Sequence, residues 1–266
     1  MPESDRQNSV TYIVAFATAV CLGCAVLVAG AAVGLKPLQD VNKRVDRMSK
    51  VLEVAGLMES SEDLTGEQIV ERFEANIEAR IIDMETGAYD DGIDTASYDQ
   101  RRAANDPERS TTAPENKARV KRLPKHALVY QVKRDDAVDQ LILPIQGYGL
   151  WSTMYGYLAI KNDAQTVTGI TFYEHGETPG LGGEVENPQW QAKWHNRKVY
   201  GEDGSVAIEV VKGPAPAADV DPYKVDGLAG ATITSRGVTN TLEFWLGPDG
   251  FGPYLSQFRE QKGLAL

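Results

Sequence analysis

Charge disappears from the chain between Arg6 and Lys36, a run of 29 positions without Asp, Glu, Lys or Arg. Within it, Val10 to Leu35 exceeds the roughly 20 apolar residues needed to cross a hydrocarbon core. It is also far longer than the apolar core of a cleaved secretory signal, about 7–15 residues. The pattern predicts an amino-terminal tail and one retained transmembrane anchor over residues 1–36, and no later segment repeats such a run. From Leu38 onward, Val41, Val45, Met48, Val51 and Leu52 recur at helical spacing, predicting a helix that continues past Pro37 and ends near Gly56. Thr65-Gly66-Glu67-Gln68 reads as a capping box, and the IVERFEANIEARIID that follows reads as an amphipathic helix. Residues 88–118 are polar and charged and read as an exposed loop, so 37–125 forms a helical connecting region with a polar excursion. After Lys125 the period changes: ALVYQVK, QLILPIQ, YGYLAIK and TVTGITFYEH predict strands bounded by turn residues. Val238, Leu242, Trp245 and Leu246 then mark one face of a helix. The predicted class is α+β, with a twisted, largely antiparallel sheet and flanking helices forming a domain over 126–266.

Composition removes several functions. The 266 residues carry a formal charge of −11, which argues against non-specific nucleic-acid binding, since that depends on Lys and Arg neutralising phosphates. Cys21 and Cys24 are the only cysteines, and their CxxC lies mid-span, where low dielectric keeps thiols protonated and packing is the simpler use. With His126, His175 and His195 as the only histidines, no metal centre is expected. GxSxG, HExxH and EF-hand patterns are absent, so no catalytic residue is assigned. Charge also bears on orientation. Glu3, Asp5 and Arg6 precede the apolar run, whereas Lys36, Lys43, Arg44, Arg47 and Lys50 follow it, a distribution that by itself predicts a cytoplasmic carboxy-terminal region.

Three stretches of the carboxy-terminal half carry candidate chemistry. Val225 to Ser235 reads VDGLAGATITS and places small and hydroxyl residues just before the last predicted helix, with Thr234 or Ser235 at its N-cap. A phosphate there would meet unpaired backbone N–H groups and the positive end of the helix dipole, while the simpler reading is an ordinary capped turn. Tyr173 to Glu184 holds four glycines and a proline, too many for regular helix, and suits close backbone approach to a ligand. It matches neither a Walker A loop nor a dinucleotide fingerprint. Gly147 to Tyr157 supplies Trp151 and several tyrosines, used either as core or as a flat apolar wall.

Taken together, GLWSTMYG, FYEHGETPGLGGE, DGLAGATIT and FWLGPDGFGPYL resemble the FMN-binding domain family. More narrowly, they resemble its branch formed by the C subunits of Na+-translocating NADH:quinone reductases, over the anchor and most of residues 140–256. The resemblance implies an electron-carrying flavoprotein subunit of a Na+-transporting NADH:ubiquinone reductase, with FMN joined through its phosphate to the Thr of a D-x-x-(S/T)-G-A-T motif. Asp226, Gly230, Ala231 and Thr232 match that motif, which makes Thr232 the implied attachment site and Thr234 the fallback. Ala229 stands where the family usually has Ser or Thr. The ring would be held by Trp151, Glu177, Thr178, Gly180, Leu181 and Gly182, with Gly230, Ala231 and Thr234 beside the phosphate. Implied partners are the other subunits of a membrane reductase and a flavin transferase that uses FAD and Mg2+ and reads Asp226, Gly230, Ala231 and Thr232. The implied location is the periplasmic face of a bacterial inner membrane, against the charge distribution. NADH and quinone would bind elsewhere. Two alternatives stay open: the flavoprotein subunit of an Rnf-type ferredoxin:NAD+ oxidoreductase, and a flavin-free membrane-anchored interaction module.

Overall fold

The computed structural model describes residues 9–59, 61–135 and 137–264; the amino-terminal flank with Glu3, Asp5 and Arg6 lies outside them. Helix α1 spans Val10–Val54, continuing through Pro37 as its periodicity predicts. It is long and apolar enough to cross a membrane, with a mean hydropathy of 2.5 over its most apolar window. The chain divides into two units, Met1–Asp46 and Arg47–Leu266. Among its described residues the first is helix from Val10 onward, with side chains largely open to their surroundings.

The second unit is built on a five-stranded sheet in the order β1-β4-β5-β6-β7. Its strands are β1 (Ile77–Asp83), β4 (His126–Arg134), β5 (Ala137–Tyr148), β6 (Thr153–Lys161) and β7 (Val167–Glu174), every neighbouring pair antiparallel. Alternation along β5 sends Leu141, Leu143 and Ile145 into the larger core and Ile142 into a second core on the opposite face. Both faces are therefore covered, which is why the central strands read as nearly continuous apolar runs rather than clean alternation. The second core closes with Val51, Leu52 and Met58 and with Phe73 from α2 (Gly66–Asn76). The predicted capping box is present: Thr65 Oγ1 accepts from Gln68 N–H, and the Gln68 side chain accepts from Thr65 N–H.

Three expectations change. The helix that starts at Thr65 stops at Asn76, and IEARIID is strand β1, paired with β4 from Ile77↔Val132 to Asp83↔His126. Ile77, Ile81 and Ile82 are all buried, and β-branched residues seated on a pleated surface outweigh a weak helical period. The connecting region thus contributes an edge strand to the sheet of the second unit. Residues 88–118 are not only loop: they hold α3 (Gln100–Asn105) and β2 (Ser110–Thr112), which pairs with β3 (Arg122–Pro124).

Beyond β7, the QWQAKWHNRKVY segment forms α4 (Pro188–Gln191) and a 3-10 turn (Ala192–Trp194), burying Trp190 and Trp194 edge to face. Short β8 (Glu209–Val210) and β9 (Lys224–Val225) run parallel, and α5 (Thr232–Leu246) and α6 (Gly252–Gln261) complete the larger core. Helix α5 lies unusually close to the end of β5. A Cβ on Gly147 would overlap Thr241 Oγ1, and one on Gly237 would sit 2.5 Å from the Tyr148 carbonyl oxygen. Gly-to-Ala inside a helix ordinarily stabilises by about 1 kcal/mol. Here Gly237→Ala should reverse that sign and cost about 1–3 kcal/mol, because the opposing atoms are backbone and cannot rotate away. A raised or unchanged urea midpoint would contradict the close approach.

Candidate functional site

The motif around Thr232 is shaped by a turn, not by a side-chain cap. Gly230 has φ +71, Ala231 N–H bonds to the Leu228 carbonyl at 3.1 Å, and Ser235 Oγ accepts from Leu228 N–H at 3.0 Å. This tight return starts the helix early. Ala231 is the N-cap residue and makes no side-chain cap bond, and the first helical bond runs from Ser235 N–H to the Ala231 carbonyl. Thr234 and Ser235, expected at the cap, are instead third and fourth in the helix and buried, while Thr232 and Ile233 are exposed. The N–H groups of Thr232, Ile233 and Thr234 are ones the helix itself cannot pair.

Thr234 is buried because its hydroxyl is engaged. At 1% exposure, it donates to Glu177 Oε2 at 2.6 Å. The same carboxylate, itself 5% exposed, accepts the N–H groups of Leu150 (3.1 Å), Trp151 (2.9 Å) and Ser152 (3.3 Å). Burial pushes the Glu177 carboxyl up, but the Thr234 hydroxyl and the three peptide N–H groups outweigh it and hold the group below its ordinary value. The space is tight enough to dictate neighbours. A Cβ on Gly149 would fall 2.6 Å from Glu177 Oε1, and one on Gly182 would meet both Thr234 Oγ1 and Glu177 Oε2 within 2.7 Å. Glu177 therefore joins the loop after β5, the loop after β7 and the start of α5.

Around that knot lies an apolar rim. Trp151 is 64% exposed, not core, and its carbonyl accepts from the Tyr148 hydroxyl at 2.9 Å. Leu181 and Ile233 are exposed as well, and Leu181 reaches the Gly230 backbone. Thr178 and Gly180 sit exposed on the loop tip. The Thr178 carbonyl takes the N–H groups of Leu181 and Gly183, so these two donors shape the loop and are not free for a ligand. On the other side of the α5 start, Thr232, Gly230 and Asp226 line an open cleft of about 670 Å³, together with Lys212 and Arg236. Asp226 accepts from Lys193 Nζ at 2.5 Å and from Ala215 N–H at 2.9 Å. Its partial burial raises the carboxyl pKa, and these two donors more than reverse that, leaving it below the ordinary value. Lys193 and Trp190, whose Nε1–H bonds the Asp226 carbonyl at 2.8 Å, are the participants that sequence reading misses. The i, i+4 pairing of Trp190 and Trp194 hints at a buried helical turn, but nothing in the sequence ties it to Asp226.

Two features meet at the start of α5: an exposed hydroxyl on an open cleft, and, through the Glu177 knot, the loop that carries an exposed indole. A family model described as an FMN-binding domain matches residues 149–247, from Gly149 in the knot to Gly247 where α5 ends, so the class is that of FMN-binding domain proteins. The relatives narrow this. The C subunit of the Na(+)-translocating NADH-quinone reductase of Pseudomonas aeruginosa is 46% identical over 258 residues, spanning 96% of this chain and 98% of its own. Its counterpart in Vibrio anguillarum is 48% identical over 244 residues, spanning 91% and 92%. The crystal structure of Shewanella oneidensis NqrC superposes with a TM-score of 0.76 at 33% identity, covering 82% of this chain and 99% of that one. The chain belongs to the family formed by the C subunit of Na(+)-translocating NADH-quinone reductase, a component of an oxidoreductase complex.

The knot has a measurable pH signature. Because the folded Glu177 carboxyl titrates below its unfolded value, its stabilising contribution is complete above about pH 4.3 and is lost as pH falls through the lower folded value. Glu177→Gln puts an amide NH2 against N–H donors and should cost about 1–3 kcal/mol at neutral pH. The gap between parent and variant should narrow on acidification; a gap independent of pH would remove Glu177 as the charged centre.

Proposed function

We propose that the chain is the electron-carrying flavoprotein subunit of a Na+-translocating NADH:quinone reductase, with FMN joined through its phosphate to Thr232 Oγ1. The observation that carries the choice of residue is the contrast among three neighbouring hydroxyls. Thr232 is exposed on the cleft, whereas Thr234 is engaged by Glu177 and Ser235 by Leu228 N–H. The surroundings fit the group. The unpaired N–H groups of the first helical turn and the helix dipole favour a phosphate, and Arg236 and Lys212 add positive charge to the cleft. Trp151, Leu181 and Ile233 offer exposed apolar surface of the kind a flat ring system covers. When bound, FMN supplies the redox chemistry, and the protein supplies position and electrostatics.

The chain's own residues have separable tasks. Glu177 fixes the loop that carries Trp151 relative to the helix that carries Thr232, and Gly182 leaves room for that carboxylate. Thr178 and Gly180 stand at the rim beside Leu181. Asp226, Gly230 and Ala231 form the approach read by a flavin transferase, and the Lys193 ion pair keeps the Asp226 carboxylate aimed at the cleft. α1 anchors the chain in a bacterial inner membrane with residues 37–266 on the periplasmic side. The relatives' names favour the quinone reductase over an Rnf-type assembly.

Thr232→Ala should abolish the covalent flavin without unfolding the domain, read as the mass of the peptide from Asp226 to Arg236 made in a host with the transferase. A flavin still on that peptide, at Thr234, would move the site; an unmodified parent peptide would end the covalent reading. Trp151→Ala, at an exposed position, should change stability by less than about 0.5 kcal/mol yet raise flavin fluorescence. Unchanged emission would take Trp151 out of the ring site. An alkaline phosphatase fused after Leu266 should be active, and activity of a cytoplasmic reporter alone would reverse the topology.

A further inference from the structure

The chain has 38 acidic and 27 basic residues, yet one cleft of about 500 Å³ is lined by Arg101, Arg119, Lys121 and Arg122 and by no Asp or Glu. Its floor is aromatic: the Arg101 guanidinium lies 3.6 Å from the centre of the Tyr155 ring and that of Arg119 lies 5.0 Å from the Tyr148 ring. Arg101 is already paired with Glu174, and Arg122 donates to Ser110 Oγ and to backbone carbonyls. Arg119 and Lys121 are exposed and meet no carboxylate among the described residues.

Arg119 is also held in a strained conformation. Its φ of +57 lies in the left-handed region that a long side chain rarely adopts. Asn116 imposes it, accepting Arg119 N–H on its carbonyl and clamping Val120 through both side-chain atoms, Oδ1 from Val120 N–H and Nδ2 to the Val120 carbonyl. The Ala118 carbonyl then receives Tyr148 N–H at 2.9 Å, tying the cation-bearing segment to the strand end that leads directly into Trp151. A backbone strain fixed by several bonds, presenting an uncompensated cation, marks a surface shaped for recognition.

We infer that this cleft is the docking site for an acidic segment of another subunit of the reductase, with Arg119 and Lys121 taking its carboxylates beside Tyr148. The inference rests on the proposed function only in assigning the partner to the same complex. Planar guanidinium groups suit paired recognition of carboxylate oxygens. Encounters between redox proteins are small and are steered by charge complementarity more than by buried area. Tyr148, which lines the cleft, donates its hydroxyl to the Trp151 carbonyl, so the docking surface is tied to the loop that carries the exposed indole.

The test uses the assembled membrane complex, with a benzophenone amino acid in place of Asn105, which is exposed on the cleft wall. Irradiation should join the chain to an Asp- or Glu-rich peptide of another subunit, and Arg119→Glu combined with Lys121→Glu should abolish that adduct. The same double variant should lower NADH-driven quinone reduction about tenfold at low ionic strength and flatten its salt dependence. Lys121→Gln should show a smaller loss in the same direction. Lys161→Glu, at the far end of β6, should do neither. An adduct only with lipid, no adduct with any subunit, or a rate and salt profile untouched by charge reversal would overturn the proposal. Covalent flavin is measured on the same samples, so an unflavinylated parent counts against the proposed function while the adduct still decides the docking site.

Discussion

The site hangs on a single carboxylate. Glu177 gathers three consecutive peptide N–H groups and one threonine hydroxyl. An unpaired buried charge would be prohibitive, but this one is surrounded by donors and so becomes the point to which three chain segments are fastened. Gly149 and Gly182 follow as necessities, because any side chain there would occupy the oxygen positions. The exposed residues Trp151, Leu181 and Thr232 are arranged by contacts made entirely beneath them.

A second constraint sets where that knot can form. The sheet is covered on both faces, and α5 approaches β5 closely enough that Gly147 and Gly237 have no room for a methyl group. Trp245 adds a fixed point, its Nε1–H bonded to the Gln146 carbonyl at 2.6 Å. Since Val238, Leu242, Trp245 and Leu246 lock the helix rotation, the hydroxyls of its first turn have no freedom to exchange roles. Thr234 must face inward and Thr232 outward. Core packing well away from the cleft therefore selects which oxygen is presented.

Much of this is legible along the chain, for physical reasons. The four consecutive strands announce themselves because turn residues bracket each apolar run, and α5 because its buried face repeats at helical spacing. IEARIID misleads because a helix with a good cap precedes it and its burial comes from pairing with β4, some fifty residues later. The cap at Thr234 or Ser235 misleads because serine and threonine favour that position, whereas here the Thr234 hydroxyl is drawn into a long-range bond with Glu177 and the Ser235 hydroxyl back to Leu228 in the preceding turn. Glu177 stands in a recognisable glycine-rich stretch, but its organising role depends on N–H groups 25 to 27 residues away. Lys193 facing Asp226 leaves no trace in local pattern at all.

The burial of Thr234 and Ser235 bears on the order of events in maturation. An extended chain offers three nearly equivalent alcohols within four positions, and an enzyme acting on it would have only flanking residues to choose by. Once α5 has docked, two of the three are sealed by bonds to their own fold, and selectivity no longer has to reside in the modifying enzyme. On the reading that Thr232 bears the flavin, the folded domain leaves one of the three hydroxyls open, so tertiary structure and the flanking Asp226, Gly230 and Ala231 select the same residue.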